Sequence, residues 1–123
     1  MPVARERVHS DRFNLVIGSP GYQNLRTYNI LDNTVIRFEI TVVARQSDGA
    51  NRAKFRRIGL FYREAGGPVQ LQGTQWQTAE TDKSDLAFDI KFIPGSNTLA
   101  IQVKNASSTA TRWVGYVDIL GAT

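Results

Sequence analysis

Apolar residues recur at every second position over several stretches of this chain, the period of a strand with one buried face. In "NTVIRFEITVVAR", Ile36, Phe38, Ile40, Val42 and Ala44 fall on one side, while Arg37, Glu39 and Thr41 fall on the other. "SDLAFDIKFIPG" sets Leu86, Phe88, Ile90 and Phe92 against Ala87, Asp89 and Lys91, and "NTLAIQVKN" keeps Leu99, Ile101 and Val103 in phase. In "RWVGYVDIL", Trp113, Gly115, Val117 and Ile119 share one parity, which puts Trp113 in the core as the anchor of that strand. "AKFRRIGLFYRE" is less regular: Ile58, Leu60 and Tyr62 lie on one face and Phe55 on the opposite parity. A bulge near Arg56 and Arg57 would return Phe55 to the core side; otherwise Phe55 and Phe61 face a second apolar surface. "GGPVQLQGTQWQT" adds a short strand with Val69 and Leu71 in phase.

Between these runs lie "SDGAN", "AGGP", "IPGSN" and "NASS", rich in residues that accept turns or positive φ. Pro94-Gly95 suits the centre of a type II turn, so 86–93 and 98–104 are expected to form a hairpin. Residues 77–86 read as a loop, because Thr and Asp disfavour a helix there. The expectation is an all-β fold, an antiparallel β-sandwich of jelly-roll-like form. Residues 33–123 make up the sandwich, and residues 1–32 form an extended N-terminal arm with possible edge strands at 12–17 and 25–31. That arm either adds edge strands to the domain or orders against a neighbour, and its apolar residues Phe13, Leu15, Ile17, Tyr22, Leu25, Tyr28 and Ile30 are candidate partner contacts.

Length and composition narrow the possibilities. A chain of 123 residues fits one domain with a self-sufficient core. Cysteine is absent, which excludes disulfides and thiolate metal sites. No apolar run reaches the length of a membrane span, and "MPVARERVHSDRF" lacks the apolar stretch of a secretion signal, so synthesis in the cytoplasm is expected. The net charge is +4. The segment from Arg45 to Glu64 carries six cations (Arg45, Arg52, Lys54, Arg56, Arg57 and Arg63) against Asp48 and Glu64, an excess equal to that of the whole chain. Such a patch suits an anionic glycan, an acidic partner surface or nucleic acid, and equally a hairpin kept soluble by charge.

Catalytic chemistry finds little support. His9 is the one histidine, in a polar stretch poorly suited to hold a general base, so neither a zinc site nor a histidine-based triad is expected. Glu80, Asp82, Asp85 and Asp89 lack the spacing of a calcium loop and read as an exposed acidic turn. "GSPG" and "EAGGP" precede no helix that could hold phosphate, and read as turns. No enzyme activity, metal or cofactor is expected. Trp76, flanked by glutamines, is the best candidate for an exposed aromatic contact with a glycan, together with Arg52, Lys54, Arg56 and Arg57; packing against its own sheet is the other reading.

"NTLAIQVKNASSTATRWVGYVDIL" resembles the ending of small β-rich domains in tailed-bacteriophage virion proteins. The shared pattern is a strand of alternating aliphatics (Leu99, Ile101, Val103), a small-residue turn with a Thr-rich step (Ala106 to Thr109), then Arg112, Trp113, Gly115 and Val117. "ITVVARQSDGANRAKFRRIGLFYRE" is similar to the same family's strand pair around a polar hairpin, and Asn105 stands at the usual turn glycine, whose backbone region it tolerates. The resemblance covers residues 34–120. It implies a non-enzymatic virion component, of tail fibre, appendage or head-decoration type, that binds other virion subunits and forms symmetric oligomers, trimers among them. A carbohydrate- or receptor-binding module of a phage adhesin is the alternative, and nucleic acid ranks last among partners.

Overall fold

The computed structural model describes residues 2–3, 7–49, 51–81, 88–105 and 107–122. Nine strands run through them: β1 (Pro2–Val3), β2 (Arg7–Ile17), β3 (Gly21–Ile30), β4 (Thr34–Gln46), β5 (Arg52–Arg63), β6 (Gln70–Thr81), β7 (Asp89–Pro94), β8 (Thr98–Asn105) and β9 (Thr111–Ala122). They form two sheets, a four-stranded one in the order β1-β3-β8-β7 and a five-stranded one in the order β2-β9-β4-β5-β6. Every pairing among the described residues is antiparallel except the short β1–β3 contact. The expected all-β sandwich is what the chain forms. Its jelly-roll-like element is the nesting of early strands with late ones: β2 pairs with β9, and β3 with β8.

The inner faces follow the alternation of the sequence. Ile36, Phe38, Ile40, Val42 and Ala44 of β4 are buried, as are Ile90 and Phe92 of β7, Leu99, Ile101 and Val103 of β8, and Trp113, Val117 and Ile119 of β9. Rings interlock within and between the two layers: Phe38 lies 5.5 Å from Tyr28 of the other sheet and 6.1 Å from Phe61 of its own, and Phe61 meets Phe92 edge-on at 5.5 Å. Trp113 stacks on Phe55 and meets Phe88 edge-on at 5.9 Å. Its indole N–H donates to Asn105 Oδ1 at 2.8 Å, and the Asn105 amide donates to the carbonyls of Ile17 and Ser19. A fully buried indole needs such an acceptor, and here one asparagine supplies it while tying down the β2–β3 turn.

Several expectations are corrected. Residues 7–30 add two strands to the domain, the first of the two readings, and both strands start earlier than the expected 12–17 and 25–31. β2 is an edge strand, paired with β9 from Arg7↔Gly121 to Ile17↔Thr111, while β3 lies between β1 and β8. Phe13, Leu25, Tyr28 and Ile30 are core residues, and Leu15 and Ile17 pack against that core. A partner cannot use side chains that the chain's own two layers already bury. On β5 the parity is inverted: Phe55 and Phe61 are buried, whereas Ile58, Leu60 and Tyr62 face outward. The reason is Gly59, an inward position without a side chain. A Cβ there would lie 2.7 Å from the Phe61 ring and 3.3 Å from that of Phe92, so the rings occupy the space it leaves.

The bulge belongs to β6, where the register steps from Ile58↔Trp76 to Leu60↔Gln72 around Gly73 at φ +70°. β6 also continues through residues read as a loop, to Thr81. The β7–β8 hairpin forms, but Pro94 is still paired, with Leu99, and Gly95 does not take positive φ; the turn centres two residues later, on Ser96 and Asn97, with Gly95 N donating to Thr98 O. Asn105 is extended in β8, so it holds its place through side-chain hydrogen bonds and not through a turn backbone. Asp82, Asp85 and Leu86 lie outside the described residues.

Candidate interaction surface

Each sheet turns its second parity outward. On the four-stranded sheet this face is polar and internally paired. The Tyr22 hydroxyl donates to Asp89 Oδ2, Lys91 Nζ sits 3.6 Å from the centre of the Tyr22 ring, and Lys104 lies over the same ring at 5.6 Å. The hydrogen bond to Asp89 is the main cause that raises the Tyr22 hydroxyl above its ordinary pKa, with burial adding to it. Gln102 donates to Asn24 at 2.9 Å. At the sandwich edge beside Phe13, Tyr28 donates to Asp11 at 2.7 Å and Arg26 closes an ion pair with the same carboxylate. Burial first, and the Asp11 bond second, push the Tyr28 hydroxyl far above its usual range.

The five-stranded sheet presents a different face. Val16, Val35, Val43, Leu60, Trp76, Tyr116 and Leu120 all stand exposed on it, Val16 and Val43 at 50%. Arginines are set among them. Arg56 reaches over the Trp76 ring at 5.4 Å and donates to Glu39 Oε1 at 3.0 Å, and Arg37 donates to the same oxygen at 2.7 Å. Burial would raise the Glu39 carboxyl, but the hydrogen bonds from Arg56 and Arg37 outweigh it and hold it below its ordinary value.

Near the β4–β5 turn the same face forms a groove of about 770 Å³. The turn is fixed from within: Gln46 N donates to Asn51 O, Ser47 N donates to Ala110 O, and the Gln46 side chain is held by Asn51 and Ser107. Gly49 takes φ +74°, which closes the turn without strain. The antiparallel register then lines up three arginines across neighbouring strands, Arg52↔Arg45 between β5 and β4 and Arg45↔Arg112 between β4 and β9. Lys54 joins them from the next outward row, and Val16, Val43 and Val114 line the floor. Among the described residues that line the groove, none is acidic. Arg112 donates to Asn14 Oδ1 at 2.6 Å, and Arg52 has a partner of its own. Arg45 and Lys54 close no ion pair among the described residues.

The structure thus separates the candidate contacts. Arg52 and Lys54 line the groove, whereas Trp76 and Arg56 form a second, aromatic spot on the same face. Arg57 turns to the inner side of β5, half-buried, with hydrogen bonds to Gln75 and Gln77, and burial lowers its guanidinium pKa. Arg63 serves the fold, donating to Ile30 O and Gly67 O and pairing with Asp32 at 3.1 Å. Tyr22 is exposed but engaged on the opposite face. Arg112, Val43 and Val114 were missed as binding candidates, and only the β4–β9 register reveals them. Among the described residues no group of three or more His, Asp or Glu side chains is placed to hold a metal.

No family model matches the sequence, and neither does any curated protein. Among solved structures, a similar one is the tailspike protein of Acinetobacter baumannii phage AM24, with 6% identity and a TM-score of 0.41. The alignment takes in 92% of this chain and 26% of the tailspike, so the chain corresponds to about a quarter of that protein's length.

Proposed function

We propose that this chain is a non-enzymatic structural component of a tailed-bacteriophage virion, and that it works by docking on other virion subunits. Two things support the reading. One is the resemblance of residues 97–120 to virion β-domains. The other, which carries it, is the outer face of the five-stranded sheet, where exposed aliphatics, Trp76, Tyr116 and arginines sit on a rigid scaffold. Aromatic and arginine enrichment over an apolar field is the composition of an interface core. Docking through this face replaces docking through a free arm. Mass spectrometry of gradient-purified particles, from the phage or prophage that encodes the chain, tests the reading. A fixed copy number per particle is expected, and recovery only in the particle-free fraction would refute it.

A second reading, a glycan- or receptor-binding module, is favoured by one observation, the exposed Trp76 with Arg56 across its ring. Binding to a bacterial surface polysaccharide that disappears in Trp76→Ala and persists in Arg45→Gln would establish it.

A further inference from the structure

We infer that the groove beneath Arg45, Arg52 and Arg112 receives an acidic polypeptide segment that alternates carboxylate and aliphatic side chains. The inference rests on the docking reading and names the chemistry of the partner. Three arginines in one cross-strand row are an arrangement a sheet avoids, because like charges directly opposite one another repel. Their fields add where the groove concentrates them, and Lys54 extends the same sign into the next row. Guanidinium groups of this kind match carboxylates in paired hydrogen bonds.

The floor selects among anions. Val16, Val43 and Val114 are aliphatic, and no aromatic ring lines the groove among the described residues. Sugars and nucleobases are held by stacking on rings, which this floor lacks. An extended peptide has a period of two, so one row of its side chains reaches the valines while the other reaches the cations. A volume of about 770 Å³ accommodates several residues of such a strand. Among the described residues Asp48 stands in the β4–β5 turn and the backbone of Glu80 is in register with Lys54, and counted against the four cations of the groove these two acids leave positive charge in excess.

The test titrates the full chain, by fluorescence anisotropy, with a labelled peptide alternating Glu and Val. Its Gln/Val counterpart, an oligothymidylate and a sulfated oligosaccharide serve as competitors. The Glu/Val peptide should bind, with the Gln/Val form at least roughly tenfold weaker. Arg45→Gln combined with Arg112→Gln should cost about tenfold or more, and Lys91→Gln on the opposite sheet nothing. Raising salt from about 50 to 300 mM should weaken the unmodified protein's binding by a comparable factor, which probes the charge contribution without any substitution. Salt-insensitive binding, or tighter binding of either anionic competitor, overturns the inference. A chain present in particles that ignores the peptide ends the groove proposal and leaves the docking reading standing. A chain that binds the peptide yet is missing from particles does the reverse.

Discussion

On the four-stranded sheet the outward side chains answer one another: Tyr22 with Asp89, Lys91 and Lys104 over the same ring, Gln102 with Asn24. On the five-stranded sheet an equally regular alternation sets arginine beside arginine and leaves valines uncovered between them. The first face satisfies itself. The second leaves charge and apolar area in excess, and the proposed docking rests on that excess. Parity therefore tells which side chains point out of a sandwich, and the cross-strand neighbours tell which of them are already satisfied within the chain.

The comparison can be broken most severely at Gly115. A Cβ there would sit 2.1 Å from the Thr41 carbonyl oxygen, so Gly115→Ala must part β9 from β4 and dismantle the five-stranded face. A loss of more than about 3 kcal/mol in urea unfolding is expected, in the range reserved for core and backbone disruptions. Glu39 comes next, as the point where the charged face is internally balanced. Its folded pKa is depressed below the ordinary 4.5, so its contribution is present above that pH and is lost as pH falls through the lower folded value. Glu39→Gln should cost about 1–2 kcal/mol at neutral pH and very little in strong acid, so the urea midpoints of variant and parent should converge there.

A smaller effect is expected on the satisfied face. Tyr22→Phe removes the bond to Asp89 and should lower stability by about 1 kcal/mol, with no change in partner binding. The smallest effect has the opposite sign. Arg45→Gln relieves repulsion from both neighbours and should raise stability by about 0.3 kcal/mol, visible as a slightly higher melting temperature. Stabilisation at Arg45 beside destabilisation at Tyr22 would sharpen the contrast between the faces; destabilisation at both would erase it.

Much of the fold was legible because alternation is a local signal. Ile36 to Ala44 and Leu99 to Val103 needed only their own spacing to be assigned inward. β5 was misread for a local reason too: counting apolar positions favours Ile58, Leu60 and Tyr62, whereas the core uses Phe55, Phe61 and the gap at Gly59. The early segment was harder to place because its pairing is long-range: β2 lies against β9 and β3 against β8, registers that no spacing within residues 1–32 encodes. The candidate groove was the least legible feature. Arg45 and Arg52 are close in sequence, but Arg112 and Val16 join them only through the β4–β9 and β2–β9 registers, which no spacing within a segment encodes.

The insertion of β9 between β2 and β4 has a kinetic consequence. β4, β5 and β6 can zip up sequentially as neighbours, but until β9 arrives the inner flank of β4 is a bare hydrogen-bonding ribbon backed by Ile36, Phe38 and Ile40. Assembly dominated by such distant partners is slow, and the half-built sheet is adhesive while it waits. Refolding yield should therefore fall steeply with protein concentration, even with equilibrium unfolding of the finished sandwich expected in a single cooperative step.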